Sequence, residues 1–112
     1  MSNRERGARG ERELCSLLSD ALGFSVSRRL GQARDSGHDI DLPGFAIEVK
    51  KRRRIALLYE AMSQAESGSR TPVVASRADG KDWLVTMRLS DWIKLAREEV
   101  IAALADEKAR GS

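Results

Sequence analysis

The chain has little of the chemistry that marks secreted, zinc-clustered or membrane-spanning proteins. Of its 112 residues one is a cysteine, Cys15, and one a histidine, His38. A lone thiol closes no internal disulfide, and with a single imidazole it excludes a Cys/His zinc site built within one chain. No apolar run approaches the ~20 residues of a spanning helix, so no membrane partner is expected. The opening stretch MSNRERGARGERE lacks the apolar centre of a secretory signal. These absences lead to the expectation of a protein of the reducing cytosol. Aromatic residues make up only 4%, against 33% charged and 41% hydrophobic. That balance suits a soluble globule with one modest core: a single domain over 1–112, with 1–6 and 106–112 expected to be flexible.

Charge is present and unevenly spread. Lys+Arg number 20 against 17 Asp+Glu, a net of +3, with a pI near 9.4. Residues 1–54 hold 12 basic and 8 acidic side chains, whereas residues 55–112 hold 8 and 9. The excess lies in Arg4, Arg6, Arg9 and Arg12, in Arg28, Arg29 and Arg34, and in the run Lys50 to Arg54. A one-sided distribution of this kind suits a polyanion such as nucleic acid, although charge runs are more often a solvated face.

Apolar spacing predicts a helix from Gly7 to Leu22, stopped by Gly23. Residues 24–29, FSVSRR, alternate as a short strand, and 30–38 read as a loop. HDIDLPGFAIEVKKR alternates on either side of Pro43-Gly44 as a β-hairpin. A helix over 55–67 ends at Gly68, strands over 72–77 and 82–87 flank a turn at Asp79-Gly80, and a last helix runs from Asp91 to Leu104 with Ser90 as N-cap. The order α-β-β-β-α-β-β-α predicts an α/β domain with a central mixed sheet flanked by helices.

The hairpin carries the chemistry. If it turns at Pro43-Gly44, Asp39 faces Glu48, and Asp39, Asp41, Glu48 and Lys50 share one face while Ile40, Leu42, Phe45, Ile47 and Val49 share the other. Two carboxylates with Cβ atoms roughly 4.5–5.5 Å apart repel in water, and become favourable around a hard divalent cation. Lys50, on the same side, suits a phosphate or an attacking water. A three-residue loop would flip one strand's faces, leaving Asp41 as the rival aspartate. On a wheel at about 100° per residue, Glu11 falls within the apolar arc of Leu14, Cys15, Leu17, Leu18 and Leu22, whereas Arg12 and Glu13 fall outside it. An inward carboxylate calls for a partner or a metal; the other reading is a first-turn acid favouring the helix dipole. Gly7 and Gly10, on the same side, suit a close approach to the sheet.

Together these elements resemble the PD-(D/E)XK nuclease superfamily, most closely the archaeal-type and phage Holliday junction resolvases. The residues that carry the resemblance are Gly7-Ala8-Arg9-Gly10-Glu11-Arg12-Glu13-Leu14, Gly23-Phe24-Ser25-Val26, Asp39, and Ile47-Glu48-Val49-Lys50, across roughly residues 5–52. The resemblance implies a restriction-endonuclease-like fold, a homodimer, and Mg²⁺-dependent (or Mn²⁺-dependent) hydrolysis of DNA phosphodiesters in a bacterial or phage-infected host cytosol. It makes Glu11, Asp39 and Glu48 the acidic metal-site residues, with the Val49 carbonyl beside them, and Lys50 the catalytic lysine. Junction DNA leads as the substrate, while the short hairpin fits phage-type members and points to the runner-up, a nicking or single-strand nuclease without junction preference. A non-catalytic DNA-binding subunit and an RNA-binding protein are the alternatives from other classes. Arg9, Arg28, Arg29, Lys51, Arg52 and Arg53 are the expected phosphate contacts, with Gln64, Asp41 and His38 as accessory candidates. Trp83 and Trp92 read as core or dimer surface, and Cys15 as a small buried hydrophobe.

Overall fold

The computed structural model describes residues 3–30, 37–50 and 55–111, with side chains from residue 7 onward. The elements are α1 (Asn3–Leu22), β1 (Ile40–Leu42), β2 (Phe45–Ile47), α2 (Ala56–Ala65), β3 (Val73–Ser76), β4 (Leu84–Met87) and α3 (Leu89–Arg110). The chain is a mixed α/β protein whose described strands form two separate two-stranded antiparallel sheets, β1–β2 and β3–β4, where one central mixed sheet was expected. Each strand of three or four residues finds its partner through a local turn. It divides into two units, residues 1–51 with 96–112, and residues 52–95.

In the first unit, α1 contains no proline and no β-branched residue, so nothing in it opposes helix. It begins before the expected Gly7 and ends at Gly23, whose φ of +84° and N–H bond to the Ser19 carbonyl form a glycine C-terminal cap. Gly10, Glu11, Cys15, Leu18 and Leu22 are buried at three- and four-residue spacing. Leu17 stays half exposed despite lying on the expected arc. A Cβ at Gly7 would meet nothing within 4 Å, so the close approach expected there does not occur.

Ser19 Oγ donates to the Cys15 carbonyl at 2.7 Å and accepts from the Val26 N–H at 2.9 Å. That bond takes the N–H of Val26 away from strand pairing, and the strand expected over 24–29 shrinks to a single bridge, Arg28 with Ile40. In β1–β2 the partners are Ile40 with Ile47, Asp41 with Ala46 and Leu42 with Phe45, the register anticipated from the alternation. Pro43 and Gly44 make the turn. Gly44 has φ +85°, and a Cβ there would lie 3.3 Å from the Ala103 Cβ on α3. Ile40, Leu42, Leu18, Ala96 and Val100 are buried together with Cys15, Leu22 and Val26. Each such large side chain contributes about 1.5–3 kcal/mol of transfer free energy. Arg97 Nη2 donates to the Ala21 carbonyl at 2.7 Å, satisfying an end of α1 that has no intrahelical donor.

In the second unit, α2 stops at Ala65 because Glu66 turns extended, two residues before the glycine expected to end it. β3 and β4 pair from Val73–Met87 to Ser76–Leu84. Their connection is a loop over residues 77–83 rather than a tight two-residue hairpin, with Gly80 at φ +74°. α3 starts ahead of the expected Asp91. Ser90 lies inside it, and Arg88 supplies the first carbonyl, to the Trp92 N–H at 2.9 Å. The helix runs past Leu104 to Arg110, its alanines favouring helix and Lys108 and Arg110 complementing the dipole in the last turn. No described helix is long and apolar enough to cross a membrane.

Candidate metal centre on the β1–β2 hairpin

The hairpin register decides which acids meet. The Asp39 N–H donates to the Ile47 carbonyl at 2.9 Å, carrying the pairing one residue beyond β1 and setting Asp39 across from Glu48. Asp39 is buried, at 8% exposure. Its Oδ2 accepts from the Val49 N–H at 2.9 Å, and its carbonyl accepts from the Arg29 N–H at 2.8 Å. Val49, expected to offer its carbonyl to a metal, thus contributes its N–H to the aspartate. Glu48 is exposed, and its carboxyl reaches Asp39. Its pKa is raised, first by a hydrogen bond shared with Asp39, then by desolvation and by the Asp39 charge, while Lys50 and the Val49 N–H pull it down. The two carboxylates and the exposed Lys50 therefore occupy one neighbourhood.

Asp41, the rival aspartate, is committed elsewhere. It pairs with His38 Nε2, and its Oδ2 lies 3.7 Å from Arg29 Nε. Arg29 Nη1 sits 3.2 Å from His38 Nδ1 and donates to the His38 carbonyl at 3.3 Å. Arg29, His38 and Asp41 thus form a charged cluster of their own.

Glu11 is inward, as its place on the helix requires, at 2% exposure. Its Oε2 pairs with Arg28 Nη1 at 3.4 Å. The Arg28–Ile40 bridge sets the Arg28 side chain on the same face as buried Ile40, opposite to that of Asp39 and Glu48. Among the described residues no group of three or more His, Cys, Asp or Glu side chains gathers as a metal cluster. The pairing with Arg28 was missed, although the signal is in the sequence. Alternation over 24–29 puts Arg28 on the side of Val26, and an inward cation needs an inward anion.

Of the remaining candidates, Arg9 is exposed on α1, and Gln64 is exposed on α2 in the second unit. Lys51, Arg52 and Arg53 lie outside the described residues. Trp83 is 65% exposed with the Arg77 guanidinium 5.3 Å above its ring, which removes the core reading for that tryptophan. Cys15 is buried, and its thiol pKa is raised, chiefly by burial and then by the charge of Glu11, with Arg28 lowering it.

The pair fits a hard divalent cation in its chemistry. Both donors are carboxylate oxygens, one is oriented by a backbone N–H, and the two are near enough to share a proton that a cation can replace. No family model, curated protein or solved structure matches the chain.

Proposed function

We propose that the chain is a Mg²⁺-dependent DNA endonuclease built on a restriction-endonuclease-like fold, acting as a homodimer with branched DNA as its leading substrate. The observation that carries this reading is the facing pair Asp39 and Glu48 with Lys50 beside it. The Val49 N–H accounts for Asp39 within the hairpin, but a structural strand gains nothing from a second carboxylate, Glu48, set against it. Asp39 and Glu48 would hold the ion, with Asp39 fixed by the Val49 N–H. The bound ion would lower the pKa of water and offset charge on the scissile phosphate. Lys50 places a positive charge where the phosphate oxygens or the attacking water come to lie. Glu11, held by Arg28, ties α1 to the segment that bridges to the hairpin at Ile40. That engagement is also what favours the second reading, a DNA-binding subunit of the same fold that does not cut.

The test is cleavage of a labelled four-way junction, with matched duplex, flap and single strand, in Mg²⁺ or EDTA, for wild type and Glu48→Gln. Mg²⁺-dependent cuts on the junction, lost in the variant, support the resolvase form. Cutting of every substrate retains the nuclease and removes the junction preference. DNA binding without cutting by wild type leaves the second reading.

A further inference from the structure

The second unit contains a cleft of about 850 Å³ that is lined by none of the site residues assigned above. This volume falls in the range of roughly 300–1,000 Å³ that accommodates nucleotide-sized groups. Its lining is mainly polar: the hydroxyls of Ser67, Ser69 and Thr71, and the cations Arg70, Arg88 and Lys94. The first turn of α3 borders it, bringing the positive end of a 22-residue helix dipole to the same wall. The turn Ser67–Arg70, with Gly68 at φ +56°, puts small side chains along one edge and leaves the concavity open.

Acid is present too, but most of it is spoken for. Glu66 bonds the Arg88 guanidinium, which fixes Arg88 in place, and Asp91 sits in the first turn of α3, where it answers the helix dipole. Arg70 and Lys94 are exposed, and neither side chain has an ion-pair partner among the described residues. Arg28 and Arg29, the phosphate contacts expected from the sequence, are by contrast bound to Glu11 and to the His38–Asp41 cluster.

We propose that this cleft binds the phosphodiester backbone of DNA, with Arg70 and Lys94 contacting phosphate oxygens and Arg88, held by Glu66, lining the wall. The inference rests on the nuclease reading and extends it to a surface remote in sequence from the hairpin. A concave, cation-lined surface concentrates its field, and guanidinium and hydroxyl donors match phosphate oxygens.

The experiment is fluorescence anisotropy of a labelled four-way junction and a labelled duplex, in EDTA so that nothing is cut, over roughly 50–200 mM salt. The proteins are wild type, Arg70→Gln/Lys94→Gln, and Lys81→Gln/Arg110→Gln, which removes the same charge elsewhere. The cleft pair should weaken binding to both DNAs and lower the slope of log affinity against log salt by about two, roughly one per lost contact. The control pair should change the slope by less than half of that, and all three proteins should unfold at the same temperature. Equal behaviour of the two double variants, or a cleft variant that binds like wild type, overturns the proposal while leaving the nuclease reading standing. Inorganic phosphate that protects the cleft arginine from modification, without any DNA effect of the variant, also overturns it, because the cleft is then a small-anion site. Failure of wild type to bind any DNA removes both.

Discussion

Replacing Arg28 with methionine takes the counter-charge from a carboxylate that is only 2% exposed. Breaking a buried ion pair by removing one partner costs about 3–5 kcal/mol, because the remaining charge stays desolvated. Here the Arg28 side chain keeps 21% exposure and the N–O distance is 3.4 Å, so water already shares in solvating the pair. The expected loss is therefore nearer ~2–3 kcal/mol. Methionine retains much of the apolar stem of arginine at the position bridged to Ile40, which confines the perturbation largely to the charge. Urea unfolding followed by circular dichroism is the assay. With a slope of about 1–3 kcal/mol per molar for a chain of this size, the midpoint should fall by about 0.7–3 M. Adding Glu11→Gln to Arg28→Met removes the stranded charge and should recover at least half of the loss. An Arg28→Met protein within about 0.5 kcal/mol of wild type, or a double variant no more stable than the single one, would refute the structural role assigned to the pair.

Two further outcomes follow from the hairpin. Gly44→Ala forces a side chain into φ +85° with its Cβ 3.3 Å from that of Ala103, and should cost about 1–3 kcal/mol in the same unfolding experiment; an unchanged midpoint would mean the turn is not as described. Glu48 should titrate above the ordinary glutamate range by carboxyl-resonance NMR, and in Asp39→Asn it should move back toward that range, since the shared hydrogen bond with Asp39 is the largest cause of the rise. Because the folded pKa is raised, the associated stabilisation is fully present below the ordinary glutamate pKa and is lost as pH rises through the raised value. An Asp39→Asn protein with the same Glu48 titration as wild type would sink the coupling.

Legibility in the sequence followed the range of the interaction. The β1–β2 register was legible as the leading reading because alternation about Pro43-Gly44 puts Ile40 and Leu42 on one face, and the structure decides it against the three-residue loop that would flip one strand. The inward position of Glu11 was readable for the same reason, helical periodicity being local. Its partner was legible only in part: alternation over 24–29 turns Arg28 inward, but nothing local ties it to Glu11 across 17 positions. The strand over 24–29 was misjudged because one hydroxyl, Ser19, diverts the Val26 N–H, and no alternation pattern records that. Helix α3 was cut short on the polarity of its last residues, although alanine content and C-terminal cations favour helix without any apolar stripe. The cleft was invisible because its cations come from separate segments, around Arg70 and from Arg88 to Lys94, each unremarkable alone.

The two facing acids differ in freedom, and the difference bears on how the protein can change. Asp39 is locked: buried, with its carboxylate and amide engaged in the hairpin and its carbonyl held by the Arg29 N–H. Glu48 stands in solvent, tethered to Asp39 but free of the core. Substitutions at position 39 therefore perturb folding together with whatever the carboxylate holds, and selection cannot act on one without the other. At position 48 the two are separable. A lineage can lengthen, shorten or neutralise that side chain, retuning or silencing whatever is held there, while the scaffold persists unchanged. The hairpin thus has a conservative jaw and an evolvable one, and under the proposed nuclease reading relatives that no longer cut should show the change first at Glu48.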